Sequence, residues 1–430
     1  MFIDLNKPKS STVPLMLLAS LFTCGLTVSN AKATEVSFSG FTNLSLTYAE
    51  HDKLAYRSSL QKNGREGLSF APDSILGLQS NIEFNDKFDA VGQIILQDRD
   101  NTQLANYIEL AFVRYQIDRN WSAKIGRFST NSYLYTDYRN VGHLLNWVRP
   151  PVEMYSTAGA LGSMDGLQAS YILDADFGAV KVALSYGQSN FIDDVEGGEL
   201  TIDYSELAVL NIELQSTDWR FHAAFIRSTL DNFDTVGIDD VKNLEGNVPP
   251  LFSPFARELV GNIVPDGKVI TYASVGGQYN VNSLELNAEL FDYDSDWVLA
   301  GGSVGGYISA AYQLGNVKPY LTLATHNRRL APEVIDYERA ESLLPPVAFQ
   351  QLVILSAESN EAVRGASYDQ KSISAGVRWD FHEAWSFKVQ FDHFRTSEFG
   401  SGLFGVQAGL LTPKEELSLN VLSLSFTTIF

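Results

Sequence analysis

The feature that most constrains the fold is a two-residue alternation of apolar and polar side chains, which recurs in segments of roughly ten residues along the chain. In the segment 36–48, the odd positions are mostly serine, threonine and asparagine, with Phe41 as an exception. Its even positions include four apolar residues: Phe38, Leu44, Leu46 and Tyr48. Because successive side chains of a β-strand point to opposite faces, this pattern predicts strands with one apolar and one polar face. No apolar run after residue 33 reaches the ~18 residues of a membrane-spanning helix.

The connections between these segments alternate between short and long. Seven short connections carry turn residues: Asn85-Asp86, Asp118-Arg119-Asn120, 174–178, Ser216-Thr217-Asp218, 280–282, Gly315-Asn316 and His382-Glu383-Ala384. Eight long connections lie near 50–73, 98–105, 129–165, 188–199, 228–268, 294–302, 327–369 and 396–416. Together they join 16 strands. A soluble β-sandwich also alternates its side chains, but it rarely alternates its loop lengths. The pattern therefore predicts an all-β fold, a transmembrane antiparallel β-barrel of 16 strands with long extracellular loops.

The N-terminal segment 1–33 is expected to be a cleaved signal peptide. Lys7 and Lys9 precede an apolar run over 13–28, and Ala31-Lys32-Ala33 fits a small-x-small cleavage site. The run is short for a transmembrane anchor, which needs about 20 residues. The chain's one cysteine lies within this segment, so residues 34–430 are expected to form a single, cysteine-free barrel domain of an exported protein.

The composition excludes several classes of protein. Hydrophobic residues make up 45% of the chain and aromatic residues 12%, which is too much for a disordered protein. The formal net charge of −20 argues against binding to nucleic acid, whose phosphates require a basic surface. A single cysteine excludes a disulfide scaffold.

Three tight turns are followed at once by a tryptophan: Trp121, Trp219 and Trp385. The next alternate positions in each strand are apolar. Amphipathic indole rings favour the boundary between lipid and water, so these three residues predict an aromatic belt at the short-turn end of the barrel.

A 16-stranded barrel is too wide for its side chains to fill, so an aqueous channel is expected inside it. A Lys or Arg on the lipid face costs ~2–4 kcal/mol near the midplane, and charged residues within strands should therefore face inward. On the parity of the alternation, the predicted lumen wall includes Lys124, Lys181, Arg220, Lys318, Arg378 and Lys388.

Two segments carry a resemblance to a known family. The run Lys124-Ile125-Gly126-Arg127-Phe128 is similar to the strand that leads into the third extracellular loop of general bacterial porins, and the chain resembles that family in length, strand count and loop order. At the C-terminus, alternate apolar residues ending on Phe430 resemble the assembly signal of Gram-negative outer-membrane proteins. The resemblance implies a homotrimeric porin of a Gram-negative outer membrane, a passive diffusion channel for small hydrophilic solutes and ions. Its implied partners are membrane lipid, lipopolysaccharide and the barrel-assembly machinery.

The resemblance also implies that the segment 129–165 folds into the lumen. This segment carries charges of both signs among bulky aromatic residues, and Pro150-Pro151 stiffens it. Opposite charges at a narrowing create a transverse field that discriminates between solutes. We therefore hypothesise a pore constriction formed by Asp137, Arg139, Arg149 and Glu153. A loop folded over the barrel mouth, or packed against a neighbouring subunit, is the alternative.

Two other functions compete with the passive channel. A substrate-selective outer-membrane channel of 16 to 18 strands is one, although the inward positions hold no long aromatic row, with Tyr320 a lone candidate. A barrel enzyme is the other, but none of the six histidines lies in a recognisable catalytic motif, and neither GxSxG nor HExxH occurs. We therefore predict no enzyme activity, no catalytic residues, no metal site and no cofactor.

Overall fold

The computed structural model describes residues 34–156, 161–195, 198–234, 239, 242–243, 246, 249–298, 300–329, 337–354, 368–398, 400–407 and 415–430. The predicted signal peptide, 1–33, lies outside these residues and stays a prediction. Sixteen long strands form the barrel: β1 Glu35–Ala49, β2 Ile75–Asn85, β3 Phe88–Gln97, β4 Ile108–Gln116, β5 Trp121–Ser129, β6 Ser163–Ala175, β7 Gly178–Val195, β8 Gly198–Gln215, β9 Trp219–Asp234, β10 Lys268–Val281, β11 Leu284–Ser295, β12 Ser303–Tyr312, β13 Val317–Arg328, β14 Gln370–His382, β15 Trp385–Thr396 and β16 Ser418–Ile429.

The sheet closes on itself. Each strand pairs antiparallel with the next, and β1 pairs both with β2 and with β16, from Phe41 opposite Ile429 to Ala49 opposite Val421. A three-residue strand, Gly67–Ser69, pairs with the end of β1 and is the seventeenth member of the sheet. Closure leaves no unpaired edge, which is the condition for a sheet to lie in hydrocarbon. The predicted 16-stranded antiparallel barrel is confirmed.

The seven predicted turns all lie between consecutive strands, but the prediction of a long loop near 188–199 is wrong. There β7 runs to Val195 and β8 starts at Gly198, and the ladder continues through Asp193 opposite Leu200. Polar residues are compatible with such long strands if the strand ends extend beyond a bilayer, because an apolar face is not needed there. Gly197-Gly198 is the turn signal that the sequence reading missed.

The barrel wall is uneven in height. Strands β2 to β5 have 9 to 11 residues, whereas β7, β8 and β9 have 18, 18 and 16. The long-loop rim is therefore lower along β2 to β5 than along β7 to β9.

The strand registers divide the side chains between two faces as the alternation predicts. Outward positions expose large apolar side chains, including Leu44, Ile125, Leu290 and Leu424. Inward positions are polar, and cross-strand partners share a face, as in Lys388 opposite Arg378 and Ser425. If the exterior of the barrel faces lipid, this arrangement places the polar, water-accessible surface inside the barrel.

The largest hydrophobic cluster lies inside the barrel rather than in its wall. The third long loop, 130–162, of which residues 130–156 and 161–162 are described, folds into the lumen with those residues and contains the single-turn helix α1, Val152–Tyr155. Its aromatic side chains Tyr133, Tyr135, Trp147 and Tyr155 are buried against inward residues of β8 to β13. The inward fold of this loop is confirmed, and the loop is packed like a protein core.

Two other long loops contain helices, α2 Ser253–Ile263 and α3 Tyr337–Leu343, followed by a helical segment over 346–354. Phe255 of α2 packs against Ala340, Leu344 and Leu352.

None of the helices in the described ranges combines the length and the hydrophobicity that crossing a bilayer requires.

Candidate functional site

The loop 130–162 is held in the lumen by Lys388, an inward residue of β15. This side chain is fully buried, and its ammonium donates to the carbonyl oxygens of Gly142, Leu145 and Trp147 at 2.5, 2.6 and 2.7 Å. An ammonium has three donors, and all three are used here. Lys388 therefore fixes the path of the loop instead of presenting its charge to water.

Arg149 connects the loop to the wall and to the first long loop. It is buried at 7% exposure, and its guanidinium donates to Asp73 at 2.7 Å, to Ser423 at 2.8 Å and to Asp392. The same group lies 5.0 Å from the centre of the Tyr56 ring. Burial alone lowers the pKa of Arg149, but the carboxylates of Asp73 and Asp392 more than offset this and raise the pKa above its usual range. Arg149 therefore stays positively charged and joins the loop to the barrel wall and to the first long loop.

Glu153 lies on α1 and faces the wall, not open space. It is fully buried, and Gln370 of β14 donates to its Oε1 at 2.8 Å. Its backbone oxygen lies 3.0 Å from the Nδ1 of His326, on β13. Burial raises the pKa of Glu153, because no cation pairs with it in the described part of the chain.

A second carboxylate, Glu289 of β11, anchors the beginning of the loop. Its Oε1 accepts from the backbone N–H of Leu134 at 2.7 Å, and its Oε2 accepts from the hydroxyls of Tyr307, at 2.9 Å, and Tyr155. The indole of Trp147 donates to Thr322 at 2.9 Å, on β13. No feature of the sequence indicates that Glu289 anchors the loop.

The loop covers one side of the lumen and leaves the other accessible. Central inward residues of β10 to β16 are buried beneath it: Ser274, Asn287, Ser309, Thr322, Gln370, Gln390 and Ser423. By contrast, Gln79, Asn81 and Gln93 on β2 and β3 remain partly exposed and form a polar ladder, with Gln93 donating to Gln79 at 2.7 Å and Gln79 to Asn81 at 2.9 Å. The open space therefore lies along β2 to β5.

Three polar cavities surround the loop. One of about 100 Å³ lies between the loop, the first long loop and the ends of β2 to β4. A neighbour of about 60 Å³ shares four lining residues with it, Gln61, Arg99, Glu109 and Arg139. The third, of about 280 Å³, is lined by Tyr138, His143, Glu285, Lys318 and Arg378 among others.

The four predicted constriction residues do not lie together. Arg139 and Arg149 both line the cavity of about 100 Å³, and Arg139 pairs with Glu109 of β4 at 2.9 Å. Asp137 is exposed, whereas Glu153 is buried against the wall. The carboxylates that face the loop arginines come from other elements. The constriction itself stays a prediction.

The six predicted lumen-wall cations all lie at inward positions, but they have different surroundings. Lys318 pairs with Glu285 at 3.2 Å, and Arg220 pairs with Glu213 at 2.9 Å. Arg378 donates to Asp380 at 2.7 Å and to the loop carbonyl of Leu145 at 2.9 Å. Lys124 lies 4.9 Å from the Phe112 ring centre, Lys181 lies opposite Glu213 and Ile172, and Lys388 is the loop anchor described above.

The three tryptophans lie outward at the short-turn end. Trp121 packs on Tyr171 with ring centres 4.9 Å apart, Trp219 stacks on Phe177 at 6.3 Å, and Trp385 is 45% exposed. The last residue, Phe430, closes the seam by exchanging two backbone hydrogen bonds with Gly40, at 2.7 and 2.9 Å.

Within the described residues, no group of three or more His, Cys, Asp or Glu side chains is arranged to hold a metal ion.

Comparison with known proteins gives matches among solved structures only. No family model and no curated protein matches the chain. The outer-membrane channel DcaP of Acinetobacter baumannii is 14% identical, with 92% of this chain and 97% of that chain covered, at a TM-score of 0.55. OmpF of Salmonella typhi, solved in complex with daunomycin, is 13% identical with the same coverages, at a TM-score of 0.51.

The chain has a porin fold. At these identities the likeness concerns the fold alone. The porin fold explains why a loop can be packed inside the barrel: the wall of 16 strands leaves an interior that needs filling.

Proposed function

We propose that the protein is an outer-membrane channel through which small hydrophilic solutes and ions diffuse passively. The observation that carries the proposal is the one-sided packing of the loop 130–162, which leaves the polar residues of β2 to β5 accessible inside a closed barrel. Amide and charged side chains on such a wall replace part of the hydration of a passing solute. The proposal assigns the chain no catalytic activity.

The proposed location is the outer membrane of a Gram-negative bacterium, reached by export through the signal peptide 1–33. The apolar outer face and the outward tryptophans at the short-turn end support a position in lipid, with lipopolysaccharide as a neighbour. In this proposal the barrel-assembly machinery reads the C-terminal strand that ends in Phe430.

A homotrimer is the proposed assembly. The short strands β2 to β5 support it. Short strands match the thickness of a bilayer poorly, and a neighbouring subunit would cover this side of the wall and remove its contact with lipid. In the trimer each subunit keeps its own passage.

Arg139 and Arg149 are proposed to narrow that passage, with Asp137 and Glu153 shaping the loop that carries them. Lys124, Lys181, Arg220, Lys318, Arg378 and Lys388 are proposed as wall residues of the lumen. A substrate-selective channel is the second candidate, and the small cavities favour it: about 100 Å³ is the volume of only a few water molecules.

Recording in planar bilayers tests the channel. The purified protein should conduct, with three equal current steps for each inserted trimer. Gln93→Trp places bulk on the open inward wall and should lower the conductance, whereas Ile94→Trp, its outward neighbour on β3, should leave it unchanged. A silent protein that cleaves lipid or peptide would contradict the proposal, and equal conductance in both variants would contradict the placement of the passage.

A further inference from the structure

The two cavities that share Arg99 and Arg139 are lined by more cations than anions, although the whole chain carries a net charge of −20. Their combined lining contains five cations, Lys62, Arg99, Arg127, Arg139 and Arg149, and three carboxylates, Asp73, Glu109 and Asp165. The difference, five minus three, is an excess of two positive charges among the lining residues, and Asp392, which lies outside the lining and pairs with Arg149, offsets one of them. Such an excess in a narrow space surrounded by protein attracts anions more strongly than the same charges would in bulk water.

Each of the three carboxylates already has a cation. Arg127 pairs with Asp165 at 2.7 Å, and Arg139 with Glu109 at 2.9 Å. Arg149 pairs with Asp73 at 2.7 Å. The two lining cations without a carboxylate in ion-pair contact among the described residues are therefore Lys62 and Arg99.

Lys62 is buried without a carboxylate partner. Its side chain is 7% exposed, and its ammonium donates only to neutral oxygens among the described residues, the carbonyl of Pro72 at 2.7 Å and the hydroxyl of Ser58 at 3.2 Å. A buried cation whose hydrogen-bond partners are all neutral keeps more of its field than a cation in direct contact with a carboxylate.

Arg99 and Arg139 supply unused donors at the same place. The Nε of Arg99 and the Nη1 of Arg139 are buried, and neither has a hydrogen-bond partner in the described part of the chain. The Arg99 guanidinium lies 6.0 Å from the ring centre of Tyr107, which restricts its position. Unpaired buried N–H groups are costly, so a small movement of these two guanidiniums that brings the N–H groups to an anion in the cavity is favoured.

We propose that Lys62 and Arg99 form an anion subsite in the passage, with Arg139 as an additional donor. The occupants are small anions such as chloride, inorganic phosphate and short carboxylates. Their oxygens or halide accept from the Arg99 and Arg139 guanidiniums, while Lys62 holds the local potential positive. This inference rests on the proposed channel function and assigns its preferred class of solute.

Reversal potentials across a potassium chloride gradient test the subsite. The unmodified protein should pass chloride in preference to potassium, and Arg99→Gln and Lys62→Gln should each lower that preference by several-fold. Arg99→Lys, which keeps the charge, should retain it. Arg119→Gln removes the same charge from an exposed tight turn and serves as the matched control.

The outcomes separate the two proposals. A protein that carries no current contradicts the channel function. A protein that conducts but prefers potassium, or whose Arg99→Gln and Lys62→Gln variants behave like Arg119→Gln, contradicts the anion subsite alone.

Inorganic phosphate gives a second measurement that does not depend on the folding of any variant. Added to the unmodified channel in chloride, it should reduce the chloride current as it occupies the subsite. Sulfonate buffers too large for a cavity of about 100 Å³ should not. Chloride currents that phosphate leaves unchanged would overturn the subsite.

Discussion

At the scale of single residues, the three buried cations Lys62, Arg149 and Lys388 differ in what surrounds them. Arg149 lies between two carboxylates, so its charge is cancelled locally. Lys388 gives all its donors to loop carbonyls. Lys62 has only neutral partners and faces a cavity, so its charge acts on whatever enters that cavity. The role of a buried cation thus depends on its neighbours. Arg149 forms ion pairs, Lys388 holds the backbone of the loop, and Lys62 provides an electric field in the cavity.

The burial of Lys62 predicts that the preference of the channel for chloride depends on pH. Burial is the largest cause that lowers its pKa, to about 8; Arg99 and Arg149 lower it further, and Asp73 and Asp98 oppose them. Since Lys62 loses its positive charge as the pH rises through about 8, the preference for chloride should fall over that range. Reversal potentials measured well below and well above this pH check the prediction.

The control for this measurement is Lys62→Arg, which stays charged throughout. Its chloride preference should be independent of pH. An equal fall in Lys62→Arg and in the unmodified protein would assign the titration to another group.

At the scale of elements, the loop 130–162 is held by polar groups from strands all around the barrel. Glu289 of β11, Gln390 of β15 and Asn211 of β8 each bind a backbone group of the loop. Backbone polar groups inside a barrel must find partners there, because the lumen side of the wall is the only source once water is displaced. The loop is therefore a fixed part of the interior.

Removing one anchor should loosen this element. Lys388→Met removes the ammonium from three loop carbonyls. Those of Leu145 and Gly142 keep another donor, the Arg378 guanidinium and the N–H of Leu145, whereas that of Trp147 loses its donor at a cost of ~1–3 kcal/mol if water does not reach it. Single-channel recordings should then show a noisier current and a larger mean conductance. Lys87→Met, in the exposed turn between β2 and β3, is the matched control and should change neither. A quiet channel of unchanged conductance in Lys388→Met would contradict the anchoring role.

At the scale of the whole molecule, the barrel separates two environments with opposite demands. The outer face exposes Leu290 and its apolar neighbours, while Gln93 and other polar residues face inward. The same substitution should therefore have different consequences on the two faces, since only one of them contacts hydrocarbon.

Leu290→Arg and Gln93→Arg make this contrast measurable. Leu290 is 62% exposed on the outer face of β11, and an arginine there should lower the free energy of unfolding by ~2–4 kcal/mol. Gln93→Arg, on the open inward wall, should cost less than about 1 kcal/mol, because a wetted site leaves the charge hydrated. Urea unfolding in phospholipid vesicles checks both values. Equal losses in the free energy of unfolding for the two variants would show that the two faces of the barrel do not contact different solvents.

The strands could be predicted because their signal is local. Alternation has a period of two, and lipid outside with water inside would determine which face each charged strand residue takes, as for the six cations from Lys124 to Lys388 that the sequence predicts to face inward. Turn residues such as Asn85-Asp86 and Gly315-Asn316 end strands through their own backbone preferences. The hairpin between β7 and β8 was missed because its acidic residues resemble a loop when burial is unknown.

The interior was decided by tertiary structure alone. Arg149 meets Asp73 and Asp392, which are 76 and 243 residues away, and Lys388 meets Gly142 from 246 residues away. Side-chain periodicity specifies a face, but it carries no information on which distant segment will lie against that face. The sequence by itself therefore determined the cylinder and its two surfaces, whereas the closure of the barrel brought together the groups that fill it and left Lys62 and Arg99 without a carboxylate in ion-pair contact among the described residues.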